Sequence, residues 1–222
     1  MIDYSLQNLE NTLNNFTTHS DDSPTIDSTG SDNVETPFSI KPDEFLIYAE
    51  NDLKIDDEHH IINCLSNVKR AIECQIDSLL IGFGLFERAK KQNWNLPKKL
   101  KVLNEIGIVS PRILNKINKL RNLLEHGYSI PNREKVEDAL DVANLFIKYT
   151  DKFLYGAILE IMVNFNSGFA IISLDYPNSR LYFKSFDYDK NKMPDFEIDH
   201  NNPEYLQYLI WYVKMLDKNN KL

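Results

Sequence analysis

One change of rhythm constrains this chain more than any other feature. From Pro42 to Gly156 apolar residues recur every three or four positions. Beyond Gly156 they alternate, or bunch with β-branched and aromatic residues. The first period belongs to helices that bury one face, and the second to strands.

The first half divides into helices by its caps. "KPDEFLIYAENDL" opens on Pro and two acids, which suits a helix start. A long helix is predicted from about Asp57 through "GFGLFERAKKQ". Ile61, Leu65, Val68, Ile72, Ile76, Leu79 and Phe83 form its apolar face, and Gly82 and Gly84 loosen its end. "NLPKKLKVLNEIGI" reads as a short helix. In "VSPRILNKINKLRNLLEHG" Ser110 caps, Pro111 sits in the first turn and Gly127 suits the stop. Ile113, Ile117, Leu120 and Leu124 form its inward stripe; Val136, Leu140, Ala143, Ile147 and Leu154 form that of the next helix. Four or five helices with short joints make an up-and-down bundle.

After Gly156, "NSG" and "YPNS" supply turns. They predict a three-stranded antiparallel meander over about 158–165, 169–175 and 180–187, followed by an amphipathic helix in "NPEYLQYLIWYVKMLDK". Residues 17–40 are rich in Ser, Thr, Asp and Asn, too polar to offset ordering entropy by burial. Leu6, Leu9, Leu13 and Phe16 suit a short helix, and equally a segment that docks on a partner. The expected fold is therefore mainly α: a flexible segment over 1–40, a helical bundle over 41–156, and a β-meander and helix over 157–222.

Composition excludes some roles. The net charge of −8 argues against wholesale nucleic-acid binding, which needs clustered Lys and Arg. No apolar run of about 20 residues offers a membrane span. The N-terminus lacks a basic-then-apolar leader, so the expected location is the cytoplasm. Cys64 and Cys74 fall in one helix, separated by about 15 Å of rise, and are expected as free thiols. The adjacent His59 and His60 point to different helix faces and make a poor metal pair.

Against that acidic background one stretch stands out. Arg112, Lys116, Lys119 and Arg121 follow one another with no acid between Ile108 and Leu124. This is a basic stripe on which a phosphate can settle. It leads into "RNLLEHGY", with Arg121 and His126 five apart. On one continuous helix they diverge by about 140°. They converge only if the helix ends between them or a second copy contributes. On residue chemistry alone two readings stand: a catalytic pair, or a His paired with the helix dipole beside a solvated Arg.

The stretch resembles the Arg-x4–6-His motif of HEPN domains, nucleotide-binding helical bundles of eukaryotes and prokaryotes. Asn122, a polar residue directly after the Arg, and the longer form Arg-x4-His-x-Tyr strengthen the likeness to toxins paired with minimal nucleotidyltransferases. The resemblance covers the bundle, about half the chain. It implies a metal-independent endoribonuclease without cofactors, working as a homodimer with both motifs in one cleft. Arg121 would stabilise charge on the scissile phosphate and His126 would act as general acid or base. Asn122 would orient phosphate or imidazole, while Lys116, Lys119 and Arg112 would hold RNA. Tyr128 would contact RNA or accept AMP from a nucleotidyltransferase partner. A toxin–antitoxin or phage-defence role follows. Glu125 departs from a simple anion site: its charge repels phosphate if it faces the cleft, or else it orients the imidazole. The alternative implied by the family is a non-catalytic dimeric module that binds a nucleotide or a protein.

Overall fold

The computed structural model describes residues 3–15, 26–108, 112, 119, 130, 132–165, 168–187, 189 and 191–219. Its elements in chain order are α1 (Leu6–Asn15), β1 (Ile26–Asp32), α2 (Pro42–Leu53), α3 (Glu58–Gly82), α4 (Phe86–Lys91) and α5 (Leu96–Glu105). Then come α6 (Arg133–Thr150), continued by a 3-10 turn (Asp151–Phe153), β2 (Ala157–Phe165), β3 (Gly168–Asp175), β4 (Arg180–Phe186), β5 (Phe196–Asp199) and α7 (Tyr205–Asn219).

The helices start where local chemistry says they should. Pro42 opens α2, and the Glu44 carboxylate accepts from Lys41 N–H. Asp57, Asn95 and Asn132 cap α3, α5 and α6 by accepting backbone N–H bonds. Each such cap satisfies a donor that the helix cannot. Helix α3 forms the bundle's axis, with α2, α4, α5 and α6 packed around it. A buried polar link ties it to the end of α6: Gln75 Nε2 donates to Thr150 Oγ1 (2.8 Å) and to Asp151 Oδ1 (3.1 Å). Burial pushes the Asp151 carboxyl above its usual range.

The long central helix stops earlier than its sequence pattern suggests. Phe83–Leu85 break it, with Gly84 at φ +64°. A Cβ there would stand 2.8 Å from Ser179 Cα and from Tyr205 Oη. The break is the point where the bundle meets the β3–β4 turn and α7, and glycine permits both the left-handed turn and the close approach.

The expected mainly-α fold with a three-stranded meander is overturned. The sheet has five antiparallel strands in the order β1-β2-β3-β4-β5, so the molecule is α+β. Strand β1, "IDSTGSD", comes from the polar segment in which no strand was expected. It pairs with β2 from Ile26↔Val163 to Asp32↔Ala157, with irregular register around Gly30. No apolar alternation announces it, because its order comes from the ladder of β2 and from Thr29 donating to Glu160 (2.9 Å). Strand β5 is only four residues long and is held to β4 by Arg180↔Asp199 through Phe183↔Phe196.

One face of the sheet is buried: Ile161, Val163, Phe165, Ala170, Ile172, Leu174, Leu181 and Phe183 point to the core. Helix α7 covers it, with Trp211 and Tyr208 against Phe183 and with Tyr212 donating to Ile158 O. The N-terminal segment covers the rest. Tyr4 packs on Phe165, Phe183 and Phe196, and its hydroxyl bonds Ser185. Leu9 is fully buried, and its carbonyl accepts from Trp211 Nε1 (2.7 Å). The apolar spacing near the N-terminus thus docks on the chain's own α7. Leu9→Ala is expected to lower stability by about 2–4 kcal/mol, the usual range for truncating a buried Leu. Urea unfolding measures it, and a change below about 0.5 kcal/mol would show that α1 is not integral to the fold.

Among the described residues no helix is long and apolar enough to cross a membrane.

Candidate functional site

The basic stretch and its motif fall between α5 and α6. Of the seven residues singled out there, Arg112 and Lys119 are described; both have helical backbone and are exposed. Seven residues is nearly two turns, so a helix carrying both presents them on one face. Lys116, Arg121, Asn122, His126 and Tyr128 lie outside the described residues, as do the predicted cap and stop, Ser110 and Gly127.

What borders the stretch is well defined. On one side Ile108 is buried and its N–H donates to Leu103 O, which anchors the exit from α5. On the other side Asn132 caps α6. Arg133 then clamps that helix start to the α2–α3 connection. It pairs with Asp56 (3.1 Å) and Glu137 (3.0 Å) and donates to Leu53 O. Ile130, just before, is 48% exposed. The stretch is therefore carried between two fixed points of the bundle. The Arg133 clamp uses none of the described bases of the stretch, Arg112 and Lys119, and exposed bases of this kind can meet an anion.

Other chemical groups of the bundle have structural partners. His60 Nδ1 meets Asp57 Oδ2 at 2.7 Å, and His59 Nε2 meets Asn63 Nδ2 at 3.1 Å. Among the described residues no group of three or more His, Cys, Asp or Glu is placed to hold a metal. Cys64 and Cys74 are free, and burial pushes both thiols up to about 11. In the acidic segment 187–199, which ends in β5, Asp187 accepts from Asn191 N and Nδ2. The aromatic residues of α7 are packing: Tyr205, Tyr208, Trp211 and Tyr212 are all buried.

A groove of about 500 Å³ between α2 and α3 has no counterpart among the sequence expectations. Tyr48, Asn51 and Asp52 line one side, and Asn63, Ser66, Asn67 and Arg70 the other. Its signal was available: polar residues at 63, 66, 67 and 70 make a hydrophilic stripe on an otherwise apolar helix. Two of its stronger groups are spent internally, since Asn67 donates to Asp52 (2.9 Å) and Arg70 to Asn67 (3.3 Å).

Buried acids set a pH limit. The Cys64 and Cys74 thiols rise to about 11 from 9.0, and desolvation also raises Tyr205 and Tyr212 above 10.0. These are folded-state values above the unfolded ones. The unfolded chain therefore loses its protons first, so stability is intact below about pH 9 and falls as pH rises toward 11. The urea midpoint should be flat from about pH 7 to 8.5 and clearly lower at about 10.5; an equal midpoint at the higher pH would refute this.

Compared with protein-family models, curated proteins and solved structures, the chain shows no significant match.

Proposed function

We propose that this protein is a metal-independent HEPN-type endoribonuclease that cuts RNA in a homodimer cleft, as a cytoplasmic toxin or phage-defence effector. The observation that carries the reading is the basic stretch itself: Arg112 and Lys119 exposed on helical backbone, in an acid-free run leading into Arg121 and His126.

In this reading Arg112, Lys116 and Lys119 hold the RNA backbone. Arg121 stabilises the charge that builds on the phosphate, and Asn122 orients it. His126 removes the proton of the 2′-hydroxyl, or gives one to the departing 5′-oxygen. The 2′-oxygen attacks phosphorus, the bond to the 5′-oxygen breaks, and a 2′,3′-cyclic phosphate and a 5′-hydroxyl remain. Tyr128 contacts RNA or accepts AMP from a nucleotidyltransferase antitoxin. The test is incubation of purified protein with RNA in EDTA, with the 3′ ends analysed. Cleavage leaving cyclic phosphates supports the proposal. Intact RNA at protein concentrations where the chain is dimeric removes it.

A second reading, a non-catalytic dimeric module for a nucleotide or protein, is favoured by the exposed face of α6. There Leu145 and Tyr149 are 69% and 57% exposed, an apolar surface that a partner can cover.

A further inference from the structure

We infer that α6 is a self-docking surface: it pairs antiparallel with α6 of a second copy, about a two-fold axis through Leu145. This goes beyond the ribonuclease reading and does not rest on it.

The inward side of α6 is ordinary, with Val136, Ala139, Leu140, Ala143, Phe146 and Ile147 buried. Its outward side is not. Leu145 is 69% exposed and Tyr149, one turn later, 57%. With about 100° per residue, Asp138, Asp141, Leu145, Lys148, Tyr149 and Lys152 fall inside an arc of about 100°. All six are exposed. Val142, half-buried, adjoins the arc, so Val142, Leu145 and Tyr149 follow the 3-4 spacing of a helix-pairing seam.

The charges decide the partner and its direction. The first half of the stripe is acidic (Asp138, Asp141) and the second half basic (Lys148, Lys152). Among the described residues none of the four has an ion-pair partner, and Lys152 rests on the Tyr149 ring at 4.7 Å. A parallel copy would set acid on acid. An antiparallel copy turned about Leu145 sets Asp138 against the partner's Lys152, with Leu145 on its own image and with Val142 and Tyr149 extending the apolar seam on either side of it. This is the self-complementarity that an isologous contact requires. Ile47, 52% exposed, flanks the same level. Helix α2 runs antiparallel beside α6: Leu53 O meets Arg133, while Asp43 at the other end acts on Asp151.

Geometry also separates this contact from the motif. In the antiparallel pair the two copies of Asn132 stand about 40 Å apart along the helices. The α6 contact therefore does not bring two motifs into one cleft, and a shared cleft needs a different face. The two ideas fail separately: RNA cleavage tests one, and molecular mass after changes on α6 tests the other.

The experiment is light scattering after size exclusion, on the full chain, at about 10 and 100 μM. Wild type is expected to associate. Leu145→Glu should weaken association by more than about 100-fold and halve the mass. Asp138→Lys alone and Lys152→Asp alone should each weaken it, because both create like-charge contacts at two symmetric places. Mixing these two variants should restore association, since each then meets its complement twice. Far-UV circular dichroism, with equal thermal midpoints at a dilution where wild type and variants are all monomeric, confirms that the exposed substitutions leave the fold alone. A monomeric wild type at 100 μM, an unchanged Leu145→Glu assembly, or a mixture that stays dissociated would each overturn the inference.

Discussion

His126→Ala is expected to lower RNA cleavage by about 10²- to 10⁴-fold, the range for removing a general acid or base. The unfolding midpoint should not move. The cleavage step proposed above asks for two things: proton transfer at an oxygen, and charge stabilisation at phosphorus. An imidazole, titrating near pH 6.5 in its ordinary form, serves the first at neutral pH. In the proposed reaction Arg121 would serve the second, so Arg121→Ala should cost about 10²- to 10³-fold. Arg121→Lys should recover little, because a point charge does not reproduce the planar fork of a guanidinium on a phosphate. Initial rates on a fluorescent RNA, with EDTA throughout, measure all three. Wild-type rates in His126→Ala would end its role, whatever the fate of Arg121.

Gly168→Ala should destabilise the protein by about 3 kcal/mol or more, among the larger effects a single methyl group can have. Gly168 opens β3 at φ +149°, a backbone region that side chains avoid. A Cβ there would stand 2.0 Å from the carbonyl oxygen of Phe186 and 2.9 Å from Asp187 Cα. Both neighbours are backbone, so no side chain can swing away. Relief requires β3 and β4 to separate where Phe169 and Phe186 stack at 5.0 Å. Those strands are central in the sheet and carry the apolar face under α7, so the loss should be global. Urea unfolding followed by near-UV circular dichroism should show an earlier transition. A shift under about 0.5 kcal/mol would mean that the hairpin is not built as described.

The bundle was legible in the chain because its signals are local. Pro42 acts within its own helix turn, and a 3.6-residue apolar period requires only that something covers it; the caps Asp57, Asn95 and Asn132, equally local, were not singled out in the chain. The three central strands were legible for the same reason, since their alternation records one buried face. The edges were not. Strand β1 is polar after Ile26, and β5 is four residues of mixed character. Their hydrogen bonds go to strands more than a hundred positions away for β1, and across a charged loop for β5.

The candidate site divides in the opposite sense. Arg121, Asn122, His126 and Tyr128 are proposed from the motif alone, while the borders of the stretch (buried Ile108, the Asn132 cap, the Arg133 clamp) come from the fold. The α6 face needed both. Its charge order is written in residues 138–152, but that Leu145 and Tyr149 are left uncovered became apparent only once α2 and α3 had taken the other side of the helix.

The sequence by itself marked the helical segments of the bundle and the three central strands, and it singled out one short stretch, around Arg121 and His126, as a candidate site. Tertiary structure decided that residues 1–40 contribute a docked helix and an edge strand, that the long helix breaks at Gly84, and which apolar residues stay outside. The physical reason is range. Caps and periods act within a few residues, whereas a strand edge, a close backbone approach and an uncovered face are defined by partners that chain order does not name.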